Sequence, residues 1–334
     1  MIAGGIAGGD SNTNWTLTRC LVIGTINGRT TTEDGTPVLQ LENEKALKVI
    51  YNENMSYEKG QGGLAIYIPT EKGYINYNFV HSVYADRNAD MWRLTVANLA
   101  NANGGIVKQI TKDGAEWEMA VRIMDRPDFI GGYAHGDEIY SSLEVYVDGV
   151  KTEITSLKQC TTFTEMKILM DSVGYDPSDG TTKALDHHKE YTIHKDGIKL
   201  EQTVEWCKDY QMRKSSYLAM MPPVKYSVTN EEDIITDSCY TDLDETPKTI
   251  SKTGGFSLTT EGVSSVCVYG EKSGVYFTMS KANYNQSKVG NSEMILSDNG
   301  GLNYNKMYFV YCGEDTVEAG EVWESTTTYQ IEWK

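Results

Sequence analysis

Apolar and polar residues alternate with a period of two along much of this chain. Between Glu116 and Met124, every second position is apolar: Trp117, Met119, Val121 and Ile123. This period is typical of a β-strand that buries one of its two faces. The pattern predicts a half-buried strand here, with Arg122 pointing away from the core.

Two Asp-Gly pairs lie between alternating runs and predict β-hairpins. Asp148-Gly149 interrupts LEVYVDGVKTEIT, and Asp196-Gly197 interrupts YTIHKDGIKLEQTVEW. Such a pair favours the positive φ angles of a two-residue type I′ loop. A loop at Asp196-Gly197 would pair His194 with Lys199.

The second hairpin has one apolar and one polar face. The apolar face carries Tyr191, Ile193, Leu200, Gln202, Val204 and Trp206. The polar face carries His188, Thr192, His194, Lys199, Glu201, Thr203 and Glu205. Because alternate residues of a strand share a face, the polar side is either plain solvent surface or the floor of a concave ligand groove.

The remaining runs also favour strands. GLAIYIP, GYINYNFVHSVY, VSSVCVYG, GVYFTMS, KMYFVYCG and TTYQIEW are rich in β-forming residues and are separated by Gly, Pro and Asn turns. MWRLTVANLA fits a strand or a helix, and residues 38–51 are the one helical candidate. Nothing suggests a repeat or a βαβ unit.

The predicted fold is therefore all-β, a large antiparallel jelly-roll-like β-sandwich with few short helices. Residues 1–36 are rich in Gly, Thr and Asn around one apolar run, and form an N-terminal arm or outer strand. Residues 37–334 form a single large domain, since sandwiches of roughly 200 to 250 residues or more occur as single units.

The composition limits the classes of partner that this protein is expected to bind. A formal net charge of −17 argues against nucleic acid or an anionic membrane surface as the main partner. No segment is apolar enough for membrane insertion. With 22 Tyr against 6 Phe, the chain suits a sheet whose outer surface offers aromatic and hydrogen-bonding groups to carbohydrates. Six widely spaced cysteines exclude zinc-ribbon and thioredoxin motifs, and we expect most of them to be free and half-buried.

The segment 122–138, RIMDRPDFIGGYAHGDE, concentrates chemically useful side chains at a glycine-rich bend. A lyase that acts on a uronate polymer needs a base such as Tyr or His, and a cation or an amide to stabilise the charge that develops on the carboxylate. The candidate catalytic residues are Arg126 or Arg122 as the cation, His135 or His188 as the base, and Tyr133 as the proton donor. The alternative is that these residues build a hydrogen-bonded loop.

Ligand-binding candidates surround this segment. Trp92, Tyr133, Tyr140 and Tyr146 could stack on sugar rings, with Tyr140 and Tyr146 on the non-core face of their strand. Arg122, Asp137, Glu138, His194 and Lys199 would supply polar contacts. We expect the 122–138 segment to form one wall of a groove whose floor carries His188 and His194.

No cofactor or metal site is predicted. The histidines match no zinc-site spacing, and GGIAGG lacks the residues that complete a phosphate-binding loop. A structural calcium ion on Asp137, Glu138 and backbone carbonyls is left open, since oxygen-rich loops bind this ion.

From about residue 84 onwards, five segments resemble host-recognition proteins of phage tails and prophages: RPDFIGGYAHGDE, GYDPSDG, LDHHKEYTIHKDGIKLEQTVEW, SYLAMMPP and GEVWESTTTYQIEW. Such proteins are similar to the large jelly rolls used by polysaccharide lyases and by sugar-binding tail modules. The resemblance implies a groove on a curved sheet, a bacterial surface polysaccharide and other tail proteins as partners, and a homotrimer. The Gln-x-His and Tyr-x-Lys-x-Gly strands of the lyases are absent.

The predicted function is that of a tail-type receptor-binding protein that recognises a cell-surface polysaccharide, with depolymerisation left open. One alternative is a polysaccharide lyase that cleaves a uronate-containing glycan by β-elimination. The other is a purely structural virion decoration protein. The N-terminus has no secretion signal, so we expect synthesis in the host cytoplasm and action outside the cell, on the virion.

Overall fold

A computed structural model describes residues 46–115, 117–131, 135–213, 216–252, 255–283, 294–298 and 301–334. The described residues form twenty-five β-strands and two 3₁₀ helices, Ala85–Arg87 and Ile154–Ser156. The all-β prediction is confirmed. The predicted N-terminal arm, residues 1–36, lies outside the described residues.

The strands up to the second predicted hairpin are β1 (Leu47–Asn52), β2 (Tyr57–Glu58), β3 (Gly63–Pro69), β4 (Tyr74–Tyr84), β5 (Ala89–Ala100), β6 (Ile106–Gln109), β7 (Glu138–Val147), β8 (Val150–Lys151), β9 (Thr161–Phe163), β10 (Met166–Tyr175), β11 (Lys183–His194) and β12 (Gly197–Trp206).

The later strands are β13 (Tyr210–Gln211), β14 (Ser216–Met221), β15 (Tyr226–Ser227), β16 (Asn230–Ile234), β17 (Ser238–Thr241), β18 (Asp244–Thr249), β19 (Ser257–Thr260), β20 (Ser265–Gly270), β21 (Val275–Ala282), β22 (Met294–Ser297), β23 (Lys306–Cys312), β24 (Thr316–Val317) and β25 (Val322–Trp333).

Antiparallel pairing arranges most strands in two sheets. The long sheet has the order β8-β7-β10-β11-β12-β25-β21-β20-β17-β18. The front sheet has the order β9-β1-β3-β4-β5-β6. A two-residue parallel pairing of β5 with β7 joins the two, and β14-β23-β22-β19 form a smaller sheet.

The front and long sheets pack face to face across a shared core, as the sandwich prediction requires. Phe79 of β4 meets Tyr191 of β11 edge-to-face, with ring centroids 5.4 Å apart. Trp117 lies between the sheets and contacts Tyr77 of β4 and Tyr329 of β25. These rings bury much of the apolar surface that holds the sheets together.

The segment around Trp117 departs from its prediction. Its apolar residues are buried, but Glu118 and Ala120 are buried as well, so it is not a half-buried strand. Isolated bridges, including Val121 with Ile130, replace a continuous ladder. The physical reason is its position between two sheets, where both faces meet protein.

The helical prediction for residues 38–51 is wrong in its described part. Leu47–Asn52 is strand β1, which pairs with β3 on one side and β9 on the other. Leu47 and Val49 point into the core at strand spacing. Pairing on both edges satisfies the backbone and overrides the weak helical pattern. MWRLTVANLA lies within β5 and is also a strand.

The two hairpins form, with one change of register. Asp148 and Gly149 make the first loop with φ values of +48° and +78°. In the second hairpin His194 pairs with Gly197, so Lys195 and Asp196 form the loop and Thr192 opposes Lys199. The predicted pairing of His194 with Lys199 is wrong, although each strand keeps its predicted apolar and polar faces.

The cysteines in the described residues are free, as expected. Cys160 and Cys207 are half-buried, whereas Cys239, Cys267 and Cys312 are fully buried. Within the described ranges, no helix is long and apolar enough to cross a membrane.

Candidate functional site

Ile130 and Gly131, at the start of the glycine-rich bend of the 122–138 segment, pack against the core. Ile130 is fully buried, and its side chain lies 2.8 Å from where a Cβ on Gly174 would stand, on the inner face of the long sheet. Gly131 has a φ of +92°, and a Cβ there would lie 2.5 Å from the Met119 carbonyl oxygen. These two residues therefore have a packing role.

The two arginines of this segment have partners within the fold. Arg126 donates two hydrogen bonds to the carboxylate of Asp176, at 2.5 and 3.0 Å. Burial raises the pKa of Asp176, but the hydrogen bonds from Arg126 and Ser178 lower it to about 2. Arg122 places its guanidinium 4.8 Å from the ring centre of Phe129. The contact of Arg126 ties the segment to the turn after β10, whereas the contact of Arg122 stays within the segment.

His135 also has a partner in its own loop. Its Nδ1 lies 2.7 Å from Oδ1 of Asp128, and its ring packs on Phe129 with centroids 4.5 Å apart. Tyr133, the predicted proton donor, lies outside the described residues. The loop contacts of His135 match the hydrogen-bonded alternative given above, and its proposed role as a base stays a prediction.

Asp137 and Glu138 point to different surroundings. Asp137 accepts a hydrogen bond from Nδ2 of Asn88 at 3.2 Å, and burial raises its pKa. Glu138 is fully buried and receives hydrogen bonds from Ser172 and Lys189 at 2.5 and 2.7 Å. No cluster of three or more His, Cys, Asp or Glu side chains in the described ranges could hold a metal ion.

Glu138 belongs to a polar network on the inner face of the long sheet. His187 contacts Glu138 through Nδ1 at 2.9 Å and Gln202 through Nε2 at 3.0 Å. Gln202 donates to the carbonyl of Leu218 at 2.6 Å. Burial raises the pKa of Glu138, but the charges of Lys189 and His187 bring it well below its usual range; burial lowers the pKa of His187.

This network is sealed, so it offers no contact to a polymer. The side chains of Glu138, His187 and Lys189 have zero exposure. His187 and Lys189 are not among the residues predicted from the sequence, although they share odd-numbered positions in β11 with Tyr191 and Ile193. Because alternate residues of a strand share a face, this spacing indicates that His187 and Lys189 point into the core.

His188, His194 and Lys199 lie on the opposite, outer face. His188 is exposed and pairs with Asp171 at 2.6 Å, and Lys199 pairs with Glu201 at 2.7 Å. His194 accepts a hydrogen bond from the backbone of Asp196. Because Ile130 packs on the inner face of the same sheet, the described residues of the 122–138 segment do not form the predicted groove with His188.

The aromatic candidates are also placed differently from the prediction. Trp92 is buried and stacks on His81, with centroids 5.1 Å apart and planes at 11°. A β-bulge opposite Asp171 and Ser172 shifts the alternation of β7, so Tyr140 packs against the core and meets His81 edge-on. Neither ring forms an open platform for a sugar.

The front sheet carries a partly open polar cleft on its outer face. A cross-strand row of Tyr67, Asn76, Asn98 and Gln109 runs over β3, β4, β5 and β6. We call this depression, with Asn78 of β4 included, the amide cleft. Its volume is about 340 Å³, which lies near the lower end of the ~300–1,000 Å³ common for ligand pockets.

The walls of the amide cleft come from two loops. Asn52, Asn54, Met55 and Tyr57 border one side, and Asp113 contributes from the segment after β6. The Tyr57 ring is held in place because the guanidinium of Arg93 lies 5.1 Å from its centre. The cleft therefore combines amide groups on its floor with tyrosine and methionine on its sides.

One buried amide in this cleft has an unused donor. Asn98 donates from Nδ2 to Oδ1 of Asn76 at 3.2 Å. The other end of that side chain, Nδ2 of Asn76, has no hydrogen-bond partner among the described residues, although Asn76 is only 2 % exposed. A buried polar group is costly unless it is satisfied, so this donor needs an acceptor that the described residues do not supply.

The amide cleft is not among the sites predicted from the sequence. Asn76 and Asn78 alternate with Ile75, Tyr77 and Phe79 in β4, so the strand carries amides on one face and core residues on the other. This alternation was visible, but its alignment with Asn98 and Gln109 depends on the register of distant strands.

A larger groove of about 550 Å³ lies near the tip of the second hairpin and the C-terminal strand. Its lining has side chains of both charges, including Lys195, Asp196, Glu332 and Lys334. No buried side-chain atom of this lining lacks a hydrogen-bond partner, within the ranges described. This groove therefore has no unsatisfied buried donor like Nδ2 of Asn76 in the amide cleft.

No protein-family model and no curated protein matches the sequence. Among solved structures, the Slr1438 protein from Synechocystis sp. PCC 6803 is similar at 9 % identity and a TM-score of 0.41, over 85 % of this chain and 100 % of that one. A galactose mutarotase-like protein from Clostridium acetobutylicum is similar at 9 % identity and a TM-score of 0.40, over 86 % of this chain and 99 % of that one. The GH36 α-galactosidase AgaA from Geobacillus stearothermophilus, in complex with stachyose, is similar at 8 % identity and a TM-score of 0.40, over 80 % of this chain and 40 % of that one.

Proposed function

We propose that this protein recognises a carbohydrate, which it holds in the amide cleft, and that the carbohydrate is a bacterial cell-surface polysaccharide. The observation that carries the proposal is the buried Asn76, whose Nδ2 is a donor without a partner in the described structure, at the floor of an amide row. Proteins satisfy their buried polar groups, and a sugar oxygen would satisfy this one.

The chemistry of the cleft suits sugar rings. A sugar presents hydroxyl groups around its edge and C–H groups on its faces. Carboxamides both donate and accept hydrogen bonds, so the floor residues Asn76, Asn78, Asn98 and Gln109 can meet hydroxyl groups of either polarity. Tyr57 gives the wall an apolar ring surface with a polar tip.

The arrangement favours binding over cleavage. β-Elimination needs a base, and the cleft lining, which lies within the described residues, offers only the phenols of Tyr57 and Tyr67; burial raises the pKa of Tyr67, which disfavours the phenolate form that would act as the base. Glycoside hydrolysis needs two carboxyl groups, and the same lining contains only Asp113. The lyase alternative loses further support because two of its candidate catalytic residues have partners within the fold: Arg126 pairs with Asp176, and His188 pairs with Asp171.

The biological setting of the proposal comes from the resemblance to tail proteins. On this proposal the protein acts on the outside of a virion, beside other tail proteins and as a homotrimer, after synthesis in the host cytoplasm. The net charge of −17 disfavours adhesion to nucleic acid or anionic lipid in that setting.

The test is a titration against a panel of purified capsular and cell-wall polysaccharides, with calorimetry for binding and ultraviolet absorbance for unsaturated products. We expect saturable binding to at least one polysaccharide and no growth of absorbance. Absorbance that grows with time would make the protein a lyase. Absence of binding across the panel would favour the structural decoration protein.

A further inference from the structure

The amide cleft has an unusual balance of charge for a polar site. Asp113 is its one acidic side chain, and its sixteen lining residues, all within the described ranges, include no Lys, Arg or His. The other titratable groups of the lining are the phenols of Tyr57 and Tyr67, and burial raises the pKa of Tyr67. The cleft is therefore neutral except for one negative charge.

Two buried cations close to the cleft, Lys48 and Arg93, are committed elsewhere. Lys48 is the cross-strand neighbour of Tyr67, but it is buried, and its ammonium lies 5.2 Å from the ring centre of Tyr74. Arg93 is fully buried beneath Tyr57 and donates to Ser82 and to the carbonyl of Ala115, at 3.2 and 3.1 Å. Neither side chain lines the cleft.

This charge distribution penalises an anionic ligand. A carboxylate that enters the cleft would lose much of its hydration and would find no cation in the lining to replace it. It would also be repelled by Asp113 and by the net charge of −17 on the chain. A neutral hydroxyl or acetamido oxygen pays neither cost and satisfies Nδ2 of Asn76.

We infer that the amide cleft selects uncharged glycan segments, built from neutral hexoses or N-acetylhexosamines, and excludes uronate residues. This inference rests on the proposed function and adds the class of sugar to it. It also separates this protein from a uronate-specific lyase, because the acid group that such an enzyme needs is what the cleft rejects.

The experiment uses matched polysaccharides. Capsular polysaccharides that contain uronate are tested in their native form and after chemical reduction of the carboxyl groups to alcohols, together with naturally neutral ones. We expect neutral or reduced forms to bind at least tenfold more tightly than native uronate forms. Their Kd should be the same in low and high salt, because screening acts only on charged pairs.

Two charge variants complete the test. Asp113→Lys places a cation in the cleft and is expected to raise the affinity for the native uronate form severalfold. Glu261→Lys makes the same change of net charge at an exposed turn after β19 and is expected to leave the preference unchanged.

The outcomes separate the inference from the proposed function. Tighter binding of a native uronate form than of its reduced form, weakened by salt, would overturn the inference and leave carbohydrate recognition standing. The same preference in Asp113→Lys as in the wild type would also overturn it. No binding to any form would overturn both.

Discussion

Asn98 donates a hydrogen bond from Nδ2 to Oδ1 of Asn76, its direct neighbour across β4 and β5, at 3.2 Å. This bond fixes the orientation of the Asn76 amide, because Oδ1 is used and Nδ2 must point away from Asn98. On the proposed function, the donor that this bond orients is the one that meets the ligand. A donor held in place before binding costs little further order when the ligand arrives.

The first prediction concerns this donor. Asn76→Ala removes one hydrogen bond to the ligand and should weaken polysaccharide binding by about 1 kcal/mol, or about fivefold in Kd. Asn98→Ala should weaken it less, because Asn76 keeps its donor but loses its fixed orientation. Calorimetric titration of each variant measures the effect.

The matched control for these variants is Asn103→Ala, which removes an exposed asparagine from the turn between β5 and β6. It should bind like the wild type. Equal affinity of the Asn76→Ala and Asn103→Ala proteins, with both folded by circular dichroism, would contradict the role given to Asn76.

The second prediction concerns the sealed network of the long sheet. Glu138→Gln leaves the buried ammonium of Lys189 without its charge partner, which should lower the free energy of unfolding by about 3 kcal/mol. Glu144→Gln, on the exposed part of the same strand, should have little effect. Urea denaturation compares the two.

A double variant refines this test. Glu138→Gln with Lys189→Met removes both charges and should recover part of the lost stability, since buried pairs can be replaced by uncharged groups. If the double variant is less stable than the sum of the single changes, the pair is not the source of the effect.

The third prediction is a pH dependence. The pKa of Asp176 is lowered from 3.8 to about 2 in the folded protein, so the unfolded chain takes up the proton first as the pH falls. Its contribution to stability is therefore complete above about pH 4 and is lost as the pH falls towards about 2.

Unfolding by urea at several pH values between 2 and 5 measures this slope. Asp176→Asn should flatten it, and Asp86→Asn, at an exposed position, should leave it as in the wild type. An unchanged slope in Asp176→Asn would show that the pair of Arg126 and Asp176 does not stabilise the fold.

The fourth prediction uses two glycines with similar backbones. Gly131 and Gly149 have φ values of +92° and +78°. A Cβ at Gly131 would collide with the Met119 carbonyl, whereas a Cβ at Gly149 meets nothing within 4 Å. Gly131→Ala should lower the free energy of unfolding by more than about 1 kcal/mol, and clearly more than Gly149→Ala. Equal losses would mean that the bend does not pack on the core.

Local patterns were enough to predict the class of fold. Alternation placed Tyr191, Ile193 and Leu200 on the core face, and Asp148-Gly149 marked its hairpin loop correctly. Both are short-range signals, because a strand has a period of two and a two-residue loop needs particular backbone angles. The predicted register of the second hairpin is wrong, since its loop is Lys195-Asp196 and not Asp196-Gly197.

The candidate site could not be predicted in the same way. Asn76, Asn98 and Gln109 come together only when β4, β5 and β6 adopt a particular register, which sequence spacing does not give. Reactive residue types drew attention to the 122–138 segment, but its Arg126 and His135 are engaged by Asp176 and Asp128. The β-bulge in β7 places Tyr140 on the core face, opposite to the prediction, and no local sequence pattern indicates this bulge.

Hydrogen–deuterium exchange with and without bound polysaccharide tests the central claim most directly. The account predicts slower exchange in peptides from β4, from β5 and from residues 52–57, which together form the floor and one wall of the amide cleft. Protection confined to residues 122–138, or to the outer face of β11 and β12, with none in β4 and β5, would contradict it.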